Sequence, residues 1–435
     1  MLPLTDKDLK ETIEEVGIQD ITTATIRQIV SLSKALEKKS GENFIHLELG
    51  NPGLQAEQIG VEAECAALQT GIANSYPDIT GIKEIKEAGS EFIKAFLDLD
   101  IPPHCIVPTV GSMQASYTLM TLLKQRVPGK DTILLFQPGF PAQKHQAKML
   151  NFNLRFFDIY DSRGRLLERK LEELLEDGRV TAMLYSNPNN PSWSNFTDEE
   201  LKIIGKMADK YDVIVLEDLA YMGMDFRQNY SVPYESPFIP SVGKFTKNFI
   251  MLISASKIFS YAGQRIAIVA FSPSVFYRKY PNLEAFYEMP NFGECYIYGV
   301  LYTASSGVAH SAQYAMAEMM KASSEGKLPF IAHTKEYGDR AARMKQVFLS
   351  NGFHIVYCKD GDQDISDGFF FTVGYKNYNS EELQKKLLQY GISSISLPCT
   401  GSTKDGLRVC VSLLNNDAAF DTLNTRLQRF HHDYQ

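Results

Sequence analysis

At residues 249–257 the chain reads FIMLISASK. The apolar first half of this stretch is typical of a strand buried on both faces of a parallel sheet. The run ends in Ser254, Ser256 and Lys257. Taken alone, a lysine is more often a surface charge. Because ligands of open parallel sheets bind beyond the carboxyl ends of the strands, a lysine with two hydroxyls at such an end indicates a binding site.

The same pattern recurs through the middle of the chain, where apolar runs alternate with amphipathic stretches of helical length. This alternation predicts an α/β fold with a mostly parallel seven-stranded sheet flanked by helices. The candidate strands are CIVPTVG (105–111), DTILLFQP (131–138), LRFFDIY (154–160), TAMLYSNP (181–188), VIVLED (213–218), FIMLISAS (249–256) and RIAIVAFS (265–272).

Helical periodicity predicts helices at 113–125 and at 198–210, the second with Thr197 as its N-cap and acidic residues in its first turn. Two further helices, at 25–40 and from Ala309 onward, fall outside the alternating core. We therefore expect a large α/β domain over residues 50–300. The N-terminal arm, 1–49, and the C-terminal third, 301–435, are expected to form a smaller α+β domain.

Composition excludes several classes of function. A net charge of -8 argues against nucleic-acid binding, which requires clustered basic residues. The N-terminus shows no secretory signal and no run reaches membrane-spanning length, so we expect a cytoplasmic protein with no membrane partner. The cysteines form no metal-binding pattern, which predicts reduced thiols and no metal site. They are Cys65, Cys105, Cys295, Cys358, Cys399 and Cys410.

Other strand ends also carry polar residues. Asp218 closes VIVLED and Tyr221 follows it, while Asn190 lies in YSNPNNP and Arg265 lies eight positions after Lys257. Singly, each has an ordinary explanation: a helix N-cap, a packed aromatic ring or a turn residue. Together and in this order, they resemble the fold-type I aminotransferases of class I and II.

This resemblance implies a pyridoxal 5'-phosphate cofactor. Lys257 would bond to the cofactor aldehyde and carry a proton, and Asp218 would keep the pyridine nitrogen protonated. Tyr221 and Asn190 would contact the phenolic oxygen, which makes Lys257, Asp218 and Tyr221 the expected catalytic residues. A strand-to-helix junction and the residues around the lysine would bind the phosphate; these are Gly111, Ser112, Met113, Ser254, Ser256 and Arg265.

Four more residues are assigned by the resemblance. Phe140 would stack on the pyridine ring, and Tyr76 would reach the phosphate from a second subunit, so we expect a homodimer. Arg408 would bind the substrate carboxylate, with Gly50 bringing backbone close to it. The alternatives are a core role for Phe140, a turn for Gly50 and a strand salt bridge for Arg408.

The implied reaction is ping-pong transfer of an amino group from an L-amino acid to a 2-oxo acid. A lyase or decarboxylase would use the same cofactor residues and stays an alternative. A transcription regulator is disfavoured, since no basic helix-turn-helix precedes the enzyme-like region.

The chain departs from the family pattern at two places. Ser192 and Trp193 stand where the family has threonine and glycine, and no arginine occurs between Arg278 and Arg340. This second departure argues against strict dicarboxylate specificity and favours an apolar or aromatic donor, although the aromatic residues of that stretch could equally pack in a core or a dimer interface. They are Phe286, Tyr287, Phe292, Tyr296, Tyr298 and Tyr302.

Overall fold

The computed structural model describes residues 2–435. Its strands are β1 Ile45–His46, β2 Ile106–Thr109, β3 Thr132–Gln137, β4 Asn153–Asp158, β5 Val180–Ser186, β6 Ile214–Asp218, β7 Phe249–Ser254, β8 Ala267–Phe271, β9 Phe353–Ile355, β10 Lys359–Asp360, β11 Gln363–Asp364, β12 Phe370–Tyr375, β13 Ile392–Ser393, β14 Ile395–Ser396 and β15 Leu407–Cys410.

The α-helices are α1 Asp6–Val16, α2 Ile26–Ser40, α3 Gln58–Gln69, α4 Lys83–Leu97, α5 Gly111–Lys124, α6 Pro141–Met149, α7 Arg165–Leu175, α8 Asp198–Tyr211, α9 Ala255–Ile258, α10 Pro273–Phe276, α11 Pro281–Tyr287, α12 Phe292–Glu294, α13 Tyr302–Ser305, α14 His310–Ser324, α15 Phe330–Ser350, α16 Ser380–Gln389 and α17 Asp417–Asp433. A π-helical turn, Cys295–Leu301, joins α12 to α13. Short 3₁₀ turns lie at Ile72–Asn74, Pro103–Cys105, Ile159–Asp161, Val242–Lys244, Ala262–Gln264 and Pro398–Thr400. No helix within residues 2–435 has both the length and the apolar character to cross a membrane.

The central sheet contains the seven predicted strands in the order β2-β8-β7-β6-β5-β3-β4. Strands β3 to β7 pair in parallel, and β8 runs antiparallel to both β2 and β7. Strands β5, β6, β7 and β8 are buried along their whole length, as expected for a sheet covered on both faces. The predicted mostly parallel α/β sheet is therefore confirmed.

The direction of β8 determines what lies at the carboxyl edge of the sheet. Ala267, at the start of β8, pairs with Thr109 at the end of β2 and with Ser254 at the end of β7. The residues before β8 therefore lie beside those that follow β2 and β7. Arg265 is brought to the same corner as Gly111 by this arrangement.

A second, four-stranded antiparallel sheet has the order β14-β15-β12-β9 and lies in the C-terminal third. Strand β1 pairs in parallel with β13, which ties the N-terminal arm to this smaller unit. The two-unit description is consistent with these sheets. The boundary near residue 300 stays a proposal, because α14 begins after it yet packs against α3 and α4.

The predicted helices are present. Helix α8 begins after Thr197, whose hydroxyl accepts from the backbone N–H of Glu200, while the Glu200 side chain accepts from the Thr197 backbone N–H. Helix α5 contains the predicted segment 113–125 except Gln125, which follows its last turn, and α2 contains 25–40 except Thr25, its N-cap. Helix α14 follows Ala309.

A buried ion-pair cluster fixes the β10–β11 hairpin to the loops beyond the central sheet. Asp360, whose side chain is 3% exposed, lies 2.7 Å from Arg163 and 2.7 Å from Arg227. The Asp360 carboxylate also accepts from the backbone N–H of Asn195, at 3.2 and 3.1 Å. Arg163 is paired in turn with Glu200 at 2.6 Å. One carboxylate thus bonds the C-terminal third to two segments that follow β4 and β6, and to the loop after β5.

Replacing this carboxylate should destabilise the protein. We expect Asp360→Asn to lower the free energy of unfolding by about 2 kcal/mol, because two guanidinium groups and a backbone N–H lose a charged acceptor. Asp362→Asn, an exposed change on the same hairpin, is the matched control. Chemical denaturation measures both, and equal stabilities of the two variants would contradict the expectation.

Candidate active site

Asp218 lies buried at the end of β6. Its Oδ2 accepts from Nε2 of Gln143 at 2.9 Å, and its Oδ1 accepts from the backbone N–H of Ala220 at 3.2 Å. Burial raises the pKa of Asp218 to about 6, while these two donors act in the opposite direction. The carboxylate is therefore poised to ionise fully beside a cation.

Asn190, Tyr221 and Arg408 lie close together, near enough to Asp218 for its charge to act on Tyr221. Arg408 Nη1 donates to Asn190 Oδ1 at 3.4 Å, and the Asn190 side chain lies close enough to Tyr221 to act on the pKa of its phenol. Burial raises the pKa of Tyr221, and the nearby positive charge of Arg408 opposes that rise. The phenol is therefore a neutral hydrogen-bond donor.

Arg408, in the middle of β15, is a cation only 1% exposed. Its Nη2 donates to the backbone oxygen of Glu48 at 2.5 Å, and its guanidinium lies 4.5 Å from the centre of the Phe370 ring. Its Nε has no hydrogen-bond partner among the described residues. A buried guanidinium with spare donors and no carboxylate partner fits an incoming carboxylate.

Lys257 follows β7 and directs its amine into the same cleft. The amine donates to the backbone oxygen of Gly50 and lies 5.2 Å from the centre of the Phe369 ring. Burial lowers the pKa of Lys257 to about 8, and the charges of Arg265 and Arg408 act in the same direction. A substantial fraction of this amine is therefore neutral near physiological pH.

An anion-binding corner lies at the start of α5. A Cβ on Gly111, which has φ +69°, would lie 2.5 Å from Nη2 of Arg265, so only glycine leaves room for the guanidinium. Arg265 Nη1 lies 3.5 Å from Ser256 Oγ, and Ser254 Oγ donates to Ser256 Oγ at 3.0 Å. Ser112 and Met113 continue into the first turn of α5, whose free N–H groups favour an anion.

Two predicted residues lie apart from these contacts. Phe140 precedes α6 and lines a cavity between the ends of β3 and β5 and the Cys399–Thr400 loop. Tyr76 is 90% exposed and lines a surface cavity with residues 305–311. Neither ring forms a hydrogen bond or a cation–π contact with Lys257 or Arg408.

Sequence reasoning missed Gln143 and Phe369. Gln143 lies three residues beyond Phe140, where α6 turns it toward Asp218, and an ordinary helical glutamine gives no signal of that contact. Phe369 precedes β12, and its ring lies below the Lys257 amine. Within residues 2–435, no group of three or more acidic, histidine or cysteine side chains is arranged to hold a metal ion.

Matches to known proteins include both sheets and all the residues of the candidate site. A family model described as aminotransferase class I and II matches residues 42–420. The chain belongs to this family. The resemblance drawn from the sequence is thereby confirmed.

Curated relatives of the aminotransferase family match the chain over part of their length. Nicotianamine aminotransferase 1 of Oryza sativa subsp. japonica is 29% identical over 213 residues, which cover 48% of this chain and 41% of that protein. An aspartate aminotransferase of Pyrococcus horikoshii is 25% identical over 247 residues, or 56% of this chain and 60% of that protein. The matched segments thus span about two-fifths to three-fifths of these relatives.

Solved aminotransferase structures share the fold at low identity. Aspartate aminotransferase from Thermus thermophilus with maleate superposes with a TM-score of 0.75 at 16% identity, covering 97% of this chain and 98% of that one. The methionine aminotransferase YbdL from Escherichia coli gives 0.73 at 17% identity, covering 92% and 97%. These likenesses establish the fold.

The Lys257 amine provides a test of the site in the cofactor-free protein. Since its pKa is lowered to about 8, we expect its acetylation rate to rise with pH through that midpoint and level off above it. A lysine in a model peptide, with a pKa of about 10.4, is the reference. Mass spectrometry of the Lys257 peptide gives the rate, and a midpoint equal to the reference would contradict the expectation.

Proposed function

We propose that this protein is a pyridoxal 5'-phosphate-dependent aminotransferase that moves an amino group from an L-amino acid to a 2-oxo acid by a ping-pong mechanism. The observation that carries the proposal is the position of Lys257. Its amine, with a pKa lowered to about 8, lies in one cleft with Asp218, Tyr221 and the buried Arg408. Membership of the aminotransferase family supports this proposal.

The residues present fit the cofactor in three respects. Gly111 leaves room for the Arg265 guanidinium beside the free N–H groups at the start of α5, and this combination suits a phosphate. We assign Ser112, Met113, Ser254 and Ser256 to that group as well. The buried Asp218 suits a protonated pyridine nitrogen, and the Tyr221 phenol with Asn190 suits a phenolic oxygen. Phe140, ahead of α6, is our candidate for the ring that covers the pyridine.

Pyridoxal phosphate supplies an electron sink that stabilises negative charge at the substrate Cα. Asp218 would hold the proton on the pyridine nitrogen, and Gln143 would hold Asp218, since its amide N–H groups can only donate. Lys257 would take the proton from Cα and return it, as a neutral amine can. Arg408 would bind the substrate carboxylate, with the Gly50 backbone beside it.

For the substrate, we propose an apolar or aromatic amino donor. In the stretch 279–339, which has no arginine, Phe292 and Tyr296 are core residues, whereas Phe286, Tyr298 and Tyr302 are exposed. These exposed rings are placed to contact the apolar side chain of a substrate bound in the site of a neighbouring subunit. The stretch 279–339 offers no guanidinium that would bind a carboxylate on the substrate side chain. We further propose that the protein is cytoplasmic, as its scattered cysteines indicate.

Absorbance spectra with single L-amino acids test the proposed reaction. We expect the colour of the cofactor-loaded protein to change as the matching 2-oxo acid forms, and to return when a 2-oxo acid acceptor is added. Lys257→Ala should lower turnover by about 10³-fold or more, because the proton carrier is lost. Lys148→Ala, which removes an exposed amine on α6, is the control.

Other outcomes have definite meanings. Release of ammonia or carbon dioxide without an amine form of the cofactor would replace the proposal by a lyase or a decarboxylase. A protein that takes up no cofactor would refute the assignment of Lys257.

We propose that the active protein is a homodimer in which Tyr76 of one subunit completes the site of the other. Tyr76 is 90% exposed although it is a large aromatic residue. It shares its surface cavity with Leu68, which is also exposed, and with the loop at residues 305–311. Two large apolar side chains that are both exposed at one surface cavity suit a protein partner.

Mixed dimers test the sharing of Tyr76. Lys257→Ala and Tyr76→Phe subunits, each weakly active alone, should regain activity when refolded together. A mixed dimer then contains one site with both Lys257 and Tyr76 intact and one site with neither. If Tyr76 served its own subunit, no site in the mixture would be intact, and the mixture would show no gain over the two parents.

A further inference from the structure

Trp193 has a left-handed backbone conformation that is unfavourable for a residue with a side chain. It is the only tryptophan of the chain, and it adopts φ +65° where the family has glycine. For a residue with a side chain, this left-handed conformation costs roughly 1 kcal/mol or more. The side chain is nevertheless 0% exposed. A strained backbone that carries a fully buried indole requires a compensating interaction.

Gly368 provides the space for the indole. A Cβ on Gly368 would lie 2.1 Å from Cε2 of Trp193 and 2.2 Å from Cζ2 and Nε1. Gly368 lies just before β12, so the fit joins the loop after β5 to the smaller sheet. The absence of a side chain at Gly368 and the large side chain at Trp193 are therefore complementary.

The indole packs directly against Tyr221. Their ring centroids are 5.4 Å apart with an interplanar angle of 68°, an edge-to-face arrangement. Phe369 and Phe370 contact the same Tyr221 ring at 5.5 and 5.4 Å. Three rings thus enclose Tyr221, and the strained residue supplies one of them.

We propose that Trp193 is a positioning residue: its indole, seated over Gly368, fixes the Tyr221 ring and thereby the phenol that donates to the cofactor's phenolic oxygen. This inference rests on the proposed function, because the phenol needs that acceptor. The same enclosure holds the other site groups, since Phe369 lies below the Lys257 amine and Phe370 stacks on Arg408. The tryptophan replaces a flexible glycine with a rigid support.

The test compares Trp193→Gly, Gly368→Ala and the double variant. A hydrogen bond donated to the phenolic oxygen stabilises its anionic form. Losing the phenol's position should therefore raise the pH midpoint of the bound cofactor's absorbance change by about half a unit. Gly368→Ala should give a similar rise, because its methyl group displaces the indole. In the double variant that methyl group meets no indole, so the midpoint should match Trp193→Gly alone.

A second measurement needs no cofactor. In apoprotein carrying Gly368→Ala, the emission of the single tryptophan should move to longer wavelength as the indole leaves its buried place. Unchanged emission would overturn the fit between Trp193 and Gly368. Trp193→Phe, which keeps a smaller ring, should give a pH midpoint between those of the unaltered protein and Trp193→Gly. This variant replaces Trp193→Gly in the comparison if Trp193→Gly does not fold.

The control is Phe430→Leu, a change of a buried ring in α17 that contacts Tyr390 and Tyr434. It should lower the melting temperature and leave the pH midpoint unchanged. If Trp193→Gly and Trp193→Phe do the same, Trp193 is ordinary packing and the positioning role is wrong. If the unaltered protein binds no cofactor, both the proposed function and the positioning role of Trp193 are wrong. The emission of the apoprotein still tests the packing of Trp193 against Gly368 in that case.

Discussion

The site depends on three charged side chains that are buried away from water. Lys257, Asp218 and Arg408 all lie in the cleft, and none has an oppositely charged side chain as a hydrogen-bond partner among the described residues. Water would stabilise each charge better than these surroundings do. The cost appears as a lowered pKa at the lysine and a raised pKa at the aspartate. A ligand with opposite charges beside these groups would offset part of the free-energy cost of burying them.

The order of the strands brings these residues together although they lie far apart in the sequence. Strands β5, β6 and β7 end side by side, and the antiparallel β8 begins at the same edge. Arg408 comes from the four-stranded sheet and reaches Asn190, which follows β5 of the central sheet. Both sheets therefore contribute residues to the site, and the ion pairs of Asp360 with Arg163 and Arg227 bond the C-terminal third to loops beyond the central sheet.

Short stretches of the sequence were sufficient to predict the central sheet and the N-cap of α8. Buried strands are continuous apolar runs, and Thr197 with Glu200 forms a capping box that a four-residue window reveals. Strand β12 of the smaller sheet lies in a similar apolar run, FFFTV at 369–373, but was not predicted individually. Its neighbours β9, β14 and β15 are only three, two and four residues long and give no comparable signal. Gln143 and Gly368 could not be found in this way, because their partners lie 75 and 175 positions away and depend on the assembled fold.

The two cations of the cleft share an unusual kind of partner. Arg408 donates to the backbone oxygen of Glu48, and Lys257 donates to the backbone oxygen of Gly50. Strand β1 and its continuation at Leu47 hold this short segment against the smaller sheet. No single amino-acid replacement can delete a main-chain carbonyl. The electrostatic support of the two cations therefore comes from main-chain atoms, and a change of side chain at position 48 or 50 leaves both acceptor oxygens in the chain.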